Sequence, residues 1–259
     1  MSCDPPSVTY IGHSTLLVEM DGTRILTDPL LRDRLAHLHR HAPPPKTEWL
    51  ESPDAILISH LHLDHLDIPS LLRLGKDRHL IVPVGAGAVL RRRGFVWVDE
   101  LKPGDTTTIG PLRIAATPAN HSGFRPPIGP TGVPVGFVIA GSRRVYFAGD
   151  TDIFPGMADF AGDLDVALIP VWGWGRTLGP GHLDPERAAE ALTFLQPTIA
   201  IPIHWGTFAA RRVRKRDPSF LVDPPHQFAR YAGLLAPQVT VTILQPGGCT
   251  TISTRARGA

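Results

Sequence analysis

Residues 60–65, His60-Leu61-His62-Leu63-Asp64-His65, place three imidazoles and one carboxylate within six positions. With 12 His and 18 Asp in 259 residues, random order would produce His-x-His-x-Asp-His about 0.002 times per chain. The spacing has a physical logic. At the end of an extended strand, residues two apart point the same way, so His60 and His62 can share one ion. Once the chain turns, Asp64 and His65 can face a neighbouring position. Imidazole nitrogens and carboxylate oxygens suit zinc, manganese or iron rather than calcium or magnesium. The plain alternative is a polar loop of surface histidines.

Three later segments repeat the pattern of an apolar run followed by a polar ligand. Pro118-Ala119-Asn120-His121 and Ile201-Pro202-Ile203-His204 end on histidine, and Phe147-Ala148-Gly149-Asp150 ends on a carboxylate. Singly, each reads as a capping Asp or a hydrogen-bonded histidine. Together with His60 they make four strand ends carrying ligand-type side chains, which a sheet would gather at one edge.

The elements that must do the gathering are β-rich at first: Val8–Ile11, Thr15–Met20 and Arg24–Thr27, with Asp21-Gly22 as a hairpin signal, then Ala55–Ser59. Short helices are expected at Pro69–Leu74 and Ala86–Arg93, on either side of a buried strand at His79–Val84. Four strands follow: Thr106–Ile109, Leu112–Thr117, Pro134–Ala140 and Arg143–Ala148. Ala167–Val171 and Thr198–Ile203 frame a helix begun by Asp184-Pro185-Glu186, with Asp as cap and Pro in the first turn, running to Leu195. A helix at His226–Leu235 and strands at Val239–Leu244 and Thr250–Thr254 close the chain. Two β-rich halves, each followed by helices, indicate an α/β (α+β) protein with packed sheets and helices outside. Its length fits one domain over residues 1–259.

Hydrophobic residues make up 42% and charged residues 19%, enough for a substantial core. The formal charge of +2 does not point to nucleic acid. Basic runs at Arg91–Arg93 and Arg211–Arg216 read as solvated surface, with attraction of an anionic substrate or membrane surface as the functional alternative. No apolar run reaches the roughly 20 residues of a membrane helix. The N-terminus lacks the form of a secretory signal, which makes a cytoplasmic location the default. Cys3 and Cys249 read as free thiols. The sequence leaves oligomeric state open, a homo-oligomer included.

With His121, Asp150 and His204 following in order, the His-x-His-x-Asp-His segment resembles the ligand set of metallo-β-lactamase-fold hydrolases, over nearly the whole chain. It is most similar to the branch containing N-acyl-phosphatidylethanolamine phospholipase D and L-ascorbate-6-phosphate lactonase. The supporting stretches are Gly12-His13-Ser14-Thr15, Leu26-Thr27-Asp28-Pro29, Pro43–Pro45, His182-Leu183-Asp184-Pro185-Glu186 and His204-Trp205-Gly206-Thr207-Phe208. The last two look most like the phospholipase. The resemblance implies a four-layer αββα sandwich holding two divalent metal ions, zinc first, with manganese or iron as alternatives. His60, His62 and His121 would hold one ion, Asp64, His65 and His204 the other, with Asp150 bridging.

Two such cations lower the pKa of a water between them, so hydroxide is available near neutral pH. Asp64 would orient it, and His182 would contact the substrate or protonate the leaving group. Asp28 would support a ligand by hydrogen bonding. His13, Arg125, Trp172 and Trp174 are candidates for contacting the substrate, Arg125 as a partner for an anionic small molecule. His37-Leu38-His39-Arg40-His41 has the look of a metal motif but reads as a lid or solvated loop. Hydrolysis of a phosphate ester, a diester first, leads; lactone or amide hydrolysis comes second, since the same hydroxide attacks a carbonyl. A non-catalytic metal-binding protein is the reading from another class. A flavo-di-iron reductase would show Glu where His62 stands, and a nuclease fits poorly with the low net charge.

Overall fold

A computed structural model describes residues 5–160, 163–175, 177–211 and 218–253. The first half runs β1 (Ser7–Gly12), β2 (Thr15–Met20), β3 (Thr23–Thr27), β4 (Arg34–Leu35), β5 (Leu38–Arg40), α1 (Thr47–Leu50), β6 (Ala55–Leu57), α2 (Ile68–Leu74), β7 (Leu80–Pro83), α3 (Gly87–Arg92) and β8 (Val98–Leu101). The second half runs β9 (Thr106–Ile109), β10 (Leu112–Pro118), β11 (Val135–Ala140), β12 (Arg144–Phe147), β13 (Val166–Pro170), α4 (Pro185–Leu195), β14 (Ile199–Ile203) and β15 (Phe208–Ala210). It closes with α5 (Asp223–Leu235), β16 (Thr240–Val241) and β17 (Gly248–Thr251).

Two seven-stranded sheets form, ordered β17-β1-β2-β3-β6-β7-β8 and β16-β14-β13-β12-β11-β10-β9. Alternation along β6 shows how the first is sandwiched. Ala55 and Leu57 join the large core shared with the second sheet, whereas Ile56 and Ile58 join a separate core with Leu71 and Leu74 of α2 and Leu90 of α3. Successive side chains point to opposite faces, so a strand apolar at every position is buried on both. Each such fully buried Ile or Leu contributes about 1.5–3 kcal/mol by leaving water. On the second sheet α4 packs over β13 and α5 over β14. The layers are helix, sheet, sheet, helix.

Local signals account for several boundaries. Asp184 caps α4 by accepting from the Arg187 backbone N–H at 2.9 Å, with Pro185 at its first position. Asp67 caps α2 through the Ser70 N–H at 3.1 Å.

The structure departs from expectation in the 34–41 segment. The expected loop there is a β4–β5 hairpin that pairs with β15, Ala209 opposite His39, as a third small sheet. Strand β8 and the single turn α1 carried no sequence signal. Of Val239–Leu244, only Thr240–Val241 pairs, as an edge strand on β14. Cys249 is an exposed free thiol. Residues 212–216 of the second basic run, Cys3, and Thr254 of the final expected strand lie outside the described residues. No helix among those described is long and apolar enough to cross a membrane.

Candidate metal centre

The topology explains why distant residues meet. Strands β3 and β6 run parallel, as do β12, β13 and β14, and β10 runs alongside them through two antiparallel steps. Their C-terminal ends therefore share one edge, and each ends on a polar residue: Asp28 after β3, His60 after β6, His121 after β10, Asp150 after β12, His204 after β14. Gly149 makes the approach of the two sheets possible. It adopts φ +61°, and a Cβ there would fall 2.5 Å from that of Ser59. The loops bearing His121 and Asp150 are laced by an isolated bridge between Asn120 and Asp152 and by the Asn120 N–H donating to Thr151 Oγ1 at 2.9 Å.

Four groups of side chains have their donor atoms within 4.8 Å of one another: His60, His62 and His121; His13, Asp64, His65 and His204; Asp28, His60 and His65; His121, Asp150 and His182. The donor chemistry fits cations. His65, His121 and His204 donate through Nδ1 to Asp28 Oδ2, to the Gly181 carbonyl and to the Trp172 carbonyl, each at 2.7 Å. His60 Nδ1 lies 3.0 Å from Ser59 Oγ, which itself donates to Asp28 Oδ2 at 2.5 Å. Metal-ligating histidines are held in this way, by one nitrogen, so that the other is aimed.

The aimed nitrogens converge. His204 Nε2 faces His65 Nε2 at 3.3 Å, and His121 Nε2 faces His62 Nδ1 at 3.1 Å. The buried His60 Nε2 and Asp150 Oδ1 have no hydrogen-bond partner among the described residues. Buried polar atoms left bare are rare and costly, and a cation would satisfy both.

Electrostatics agree. Burial, reinforced by neighbouring imidazoles, pushes the His62 pKa down to about 4 and holds His60 well below its ordinary value. Burial also lowers His204 to about 3 against the pull of Asp150. Asp64 and Asp150 stay well below the usual carboxylate range despite burial, because His65 and His204 surround them. His65 moves the other way: burial is outweighed by Asp150, Asp64 and Asp28, which keep it protonated. The metal-free cluster thus holds positive charge on His65 among three acidic groups, where an ion would bring its own.

A cavity of about 360 Å³ opens over the cluster, with His62, Asp64, Asp150, His182 and His204 on its floor and Leu35, Leu38, Leu63, Pro126, Trp174 and Leu178 among its walls. The β4–β5 hairpin supplies one wall, where the His37 ring stands edge-on to Trp174 with centroids 6.0 Å apart. Three expected substrate residues are placed elsewhere. Arg125 Nη1 donates to the Leu61 and Leu66 carbonyls at 2.6 and 3.0 Å, so its cation braces the loop carrying the 60–65 cluster and does not line the cavity. Trp172 is part-buried, with Nε1 donating to Gly175 O, and also lies off the cavity lining. His13 lies behind Asp64 and His204 and not on the cavity wall.

Sequence reasoning overlooked Ser59, whose hydroxyl links His60 to Asp28. A small hydroxyl residue directly before a ligand at a buried strand end was the available signal. It also overlooked the carbonyls of Trp172 and Gly181, which no side-chain pattern reveals.

An αββα sandwich with clustered His and Asp at one sheet edge defines a class of metal-dependent hydrolases. Residues 23–205 match the family model described as a β-lactamase superfamily domain. The chain belongs to that superfamily and has the metallo-β-lactamase fold of its metal-dependent hydrolases. A UPF0173 metal-dependent hydrolase of Methanopyrus kandleri is 32% identical over 249 residues, covering 93% of this chain and 97% of its own. The N-acyl-phosphatidylethanolamine-hydrolyzing phospholipase D 1 of Caenorhabditis elegans is 31% identical over 232 residues, covering 77% of this chain and 64% of the worm protein. Mycobacterial relatives, 33% identical over 219 residues, are longer, and the match covers 59% of them. Among solved structures, Igni18, a metallo hydrolase of Ignicoccus hospitalis, superposes with a TM-score of 0.74 at 26% identity over 97% of this chain and all of its own.

Proposed function

We propose that this hydrolase cleaves a phosphate ester, with phosphodiesters as the first substrate class, at a centre of two divalent ions, zinc before manganese or iron. His60, His62 and His121 would hold one ion and Asp64, His65 and His204 the other. Asp150 would serve both, since its Oδ1 faces His204 Nε2 at 3.3 Å while its Oδ2 faces His65 and His60 Nε2 at 3.2 and 3.9 Å. Such ions, when bound, supply an acidified water and positive charge for a developing oxyanion.

The observation that carries the reading is the position of His182. It lines the cavity together with Asp64 and is 24% exposed. Its Nδ1 donates to the Gly179 carbonyl at 3.1 Å, which leaves Nε2 facing inward, 3.6 Å from Asp150 Oδ2. Asp64 can orient the attacking water by accepting a hydrogen bond from it, and His182 can deliver a proton to a departing alkoxide. A poor leaving group on phosphorus needs that proton. Similarity to the worm phospholipase supports the same class. A lactone or amide is the second reading, favoured by the lack of Lys and Arg among the described residues lining the cavity, because a neutral carbonyl needs no cationic clamp.

The test compares bis(p-nitrophenyl) phosphate, an alkyl phosphodiester and a simple lactone with metal-loaded protein. His182→Ala is expected to slow the alkyl diester on the order of 10²-fold or more. The nitrophenyl diester, whose leaving group departs without a proton, should slow far less. Bound metal should be unchanged. Metal loss in that variant refutes the role of His182, and hydrolysis of the lactone alone transfers the site to the second reading.

A further inference from the structure

The turn between β1 and β2 contains a buried residue in a conformation it would not choose. His13 has φ +58° and is 2% exposed. Side chains other than glycine adopt this left-handed region at a cost of roughly 1–2 kcal/mol. Such strain persists where surrounding contacts over-determine it, commonly at functional sites.

Here the contacts come from the other end of the chain. The His13 N–H donates to Thr207 Oγ1 at 2.7 Å, and its carbonyl accepts from the His204 N–H at 2.9 Å. Gly12 before it permits the approach, since a Cβ there would stand 2.9 Å from Thr207 Oγ1. The ring lies against that of His204, centroids 3.9 Å apart, and Nε2 reaches Asp64 Oδ2 at 3.0 Å. The other imidazole nitrogens near Asp64, on His65 and His204, stand at 3.7 and 3.9 Å, outside hydrogen-bond range.

We propose that His13 is a positioning residue whose Nε2–H fixes the Asp64 carboxylate, so that Asp64, His65 and His204 keep the shape that receives an ion. The inference rests on the two-ion reading above. The strained turn is what aims the ring: an ordinary β-turn geometry at position 13 would direct it elsewhere, while the paired backbone bonds to Thr207 and His204 tie its position to the β14 end. A carboxylate at the end of a loop then behaves as part of a rigid set.

The test measures metal stoichiometry and affinity by competition with a chromophoric chelator, with thermal stability of the metal-free protein in parallel. His13→Asn suits the left-handed turn but is too short to reach Asp64. His13→Gln places its amide nitrogen near the position of Nε2. The expected result is that His13→Asn weakens one of two bound ions about 10–100-fold, leaves the other unchanged, and leaves metal-free stability close to the starting protein. His13→Gln should recover most of the loss. Unchanged affinity of both ions in His13→Asn overturns the proposal. So does His13→Gln as weak as His13→Asn, which would make His13 a direct ligand. If the starting protein binds one ion only, the two-ion reading fails by itself. His13 is then judged on that ion: weakening by both Asp64→Ala and His13→Asn supports the proposal, and indifference to His13→Asn overturns it.

Discussion

The His60–His62–His121 group and the Asp64–His65–His204 group lie side by side under one cavity, yet they are built differently. The first consists of neutral imidazoles only, and two of its members, His62 and His121, are partly exposed. The second includes a carboxylate, its two imidazoles are buried, and His13, Asp28 and the Trp172 carbonyl stand behind it. The contrast separates two things on which affinity at such a centre can depend, the donor count and how firmly each donor is backed. Asp28 is the point at which the two designs join, because it holds His65 directly and His60 through Ser59.

The largest effect should come from removing what both groups share. Asp150→Ala is expected to lose bound metal by elemental analysis and to lower turnover on the order of 10³-fold, about 4 kcal/mol of transition-state stabilisation. Retention of one tightly held ion with substantial activity would mean that the groups work independently. A smaller loss, about 10–100-fold in affinity, is expected for Asp28→Ala, and chelator competition should show it at both ions. Ser59→Ala should weaken the ion of the three-histidine group more than the other, since Ser59 Oγ lies 3.0 Å from His60 Nδ1 but 3.5 Å from His65 Nδ1. An equal effect of Ser59→Ala on both would break the assignment of separate supports.

The metal-free protein should respond to pH. His62 is held down to about 4 and His204 to about 3, with His60 and His121 also lowered, chiefly by burial. An unfolded histidine takes up a proton near 6.5. Between those values the unfolded state binds more protons, so these four groups lose stability as pH falls below about 6.5. His65 is raised and acts oppositely, its contribution complete below about 6.5 and lost as pH rises through its folded value. Four outweigh one. Thermal denaturation in chelator should show Tm decreasing from pH 7 to pH 4. A flat or rising Tm would contradict neutral imidazoles in the three-histidine group.

Much of this arrangement was legible in the chain because ligand-type residues sit where apolar runs stop, as at Ile203-His204 and Ala148-Gly149-Asp150. Helix α4 was legible for the same local reason, Asp184-Pro185-Glu186 being a start signal complete in three residues. The 34–41 hairpin was not. Its strands are two and three residues long, too short for any period, and they exist because Phe208–Ala210 arrives to pair with them. Arg125 illustrates the same limit at one side chain. A basic residue in a Pro/Gly-rich loop reads as available to an anion, but its partners are two backbone carbonyls some 60 positions away, and backbone acceptors leave no mark on composition.

The ligand-type residues are divided between the sheets: His60, His62, Asp64 and His65 follow a strand of the first, while His121, Asp150 and His204 follow strands of the second. Neither half carries all seven residues, so the complete set of donors exists only after contacts of high sequence separation have formed. On the proposed two-ion reading, captured ions would work as rivets. Binding only the docked sandwich, they would add about 1.4 kcal/mol against separation of the two halves for every decade of free metal above the dissociation constant, and the proposed centre would double as the fastener that keeps the sheets together.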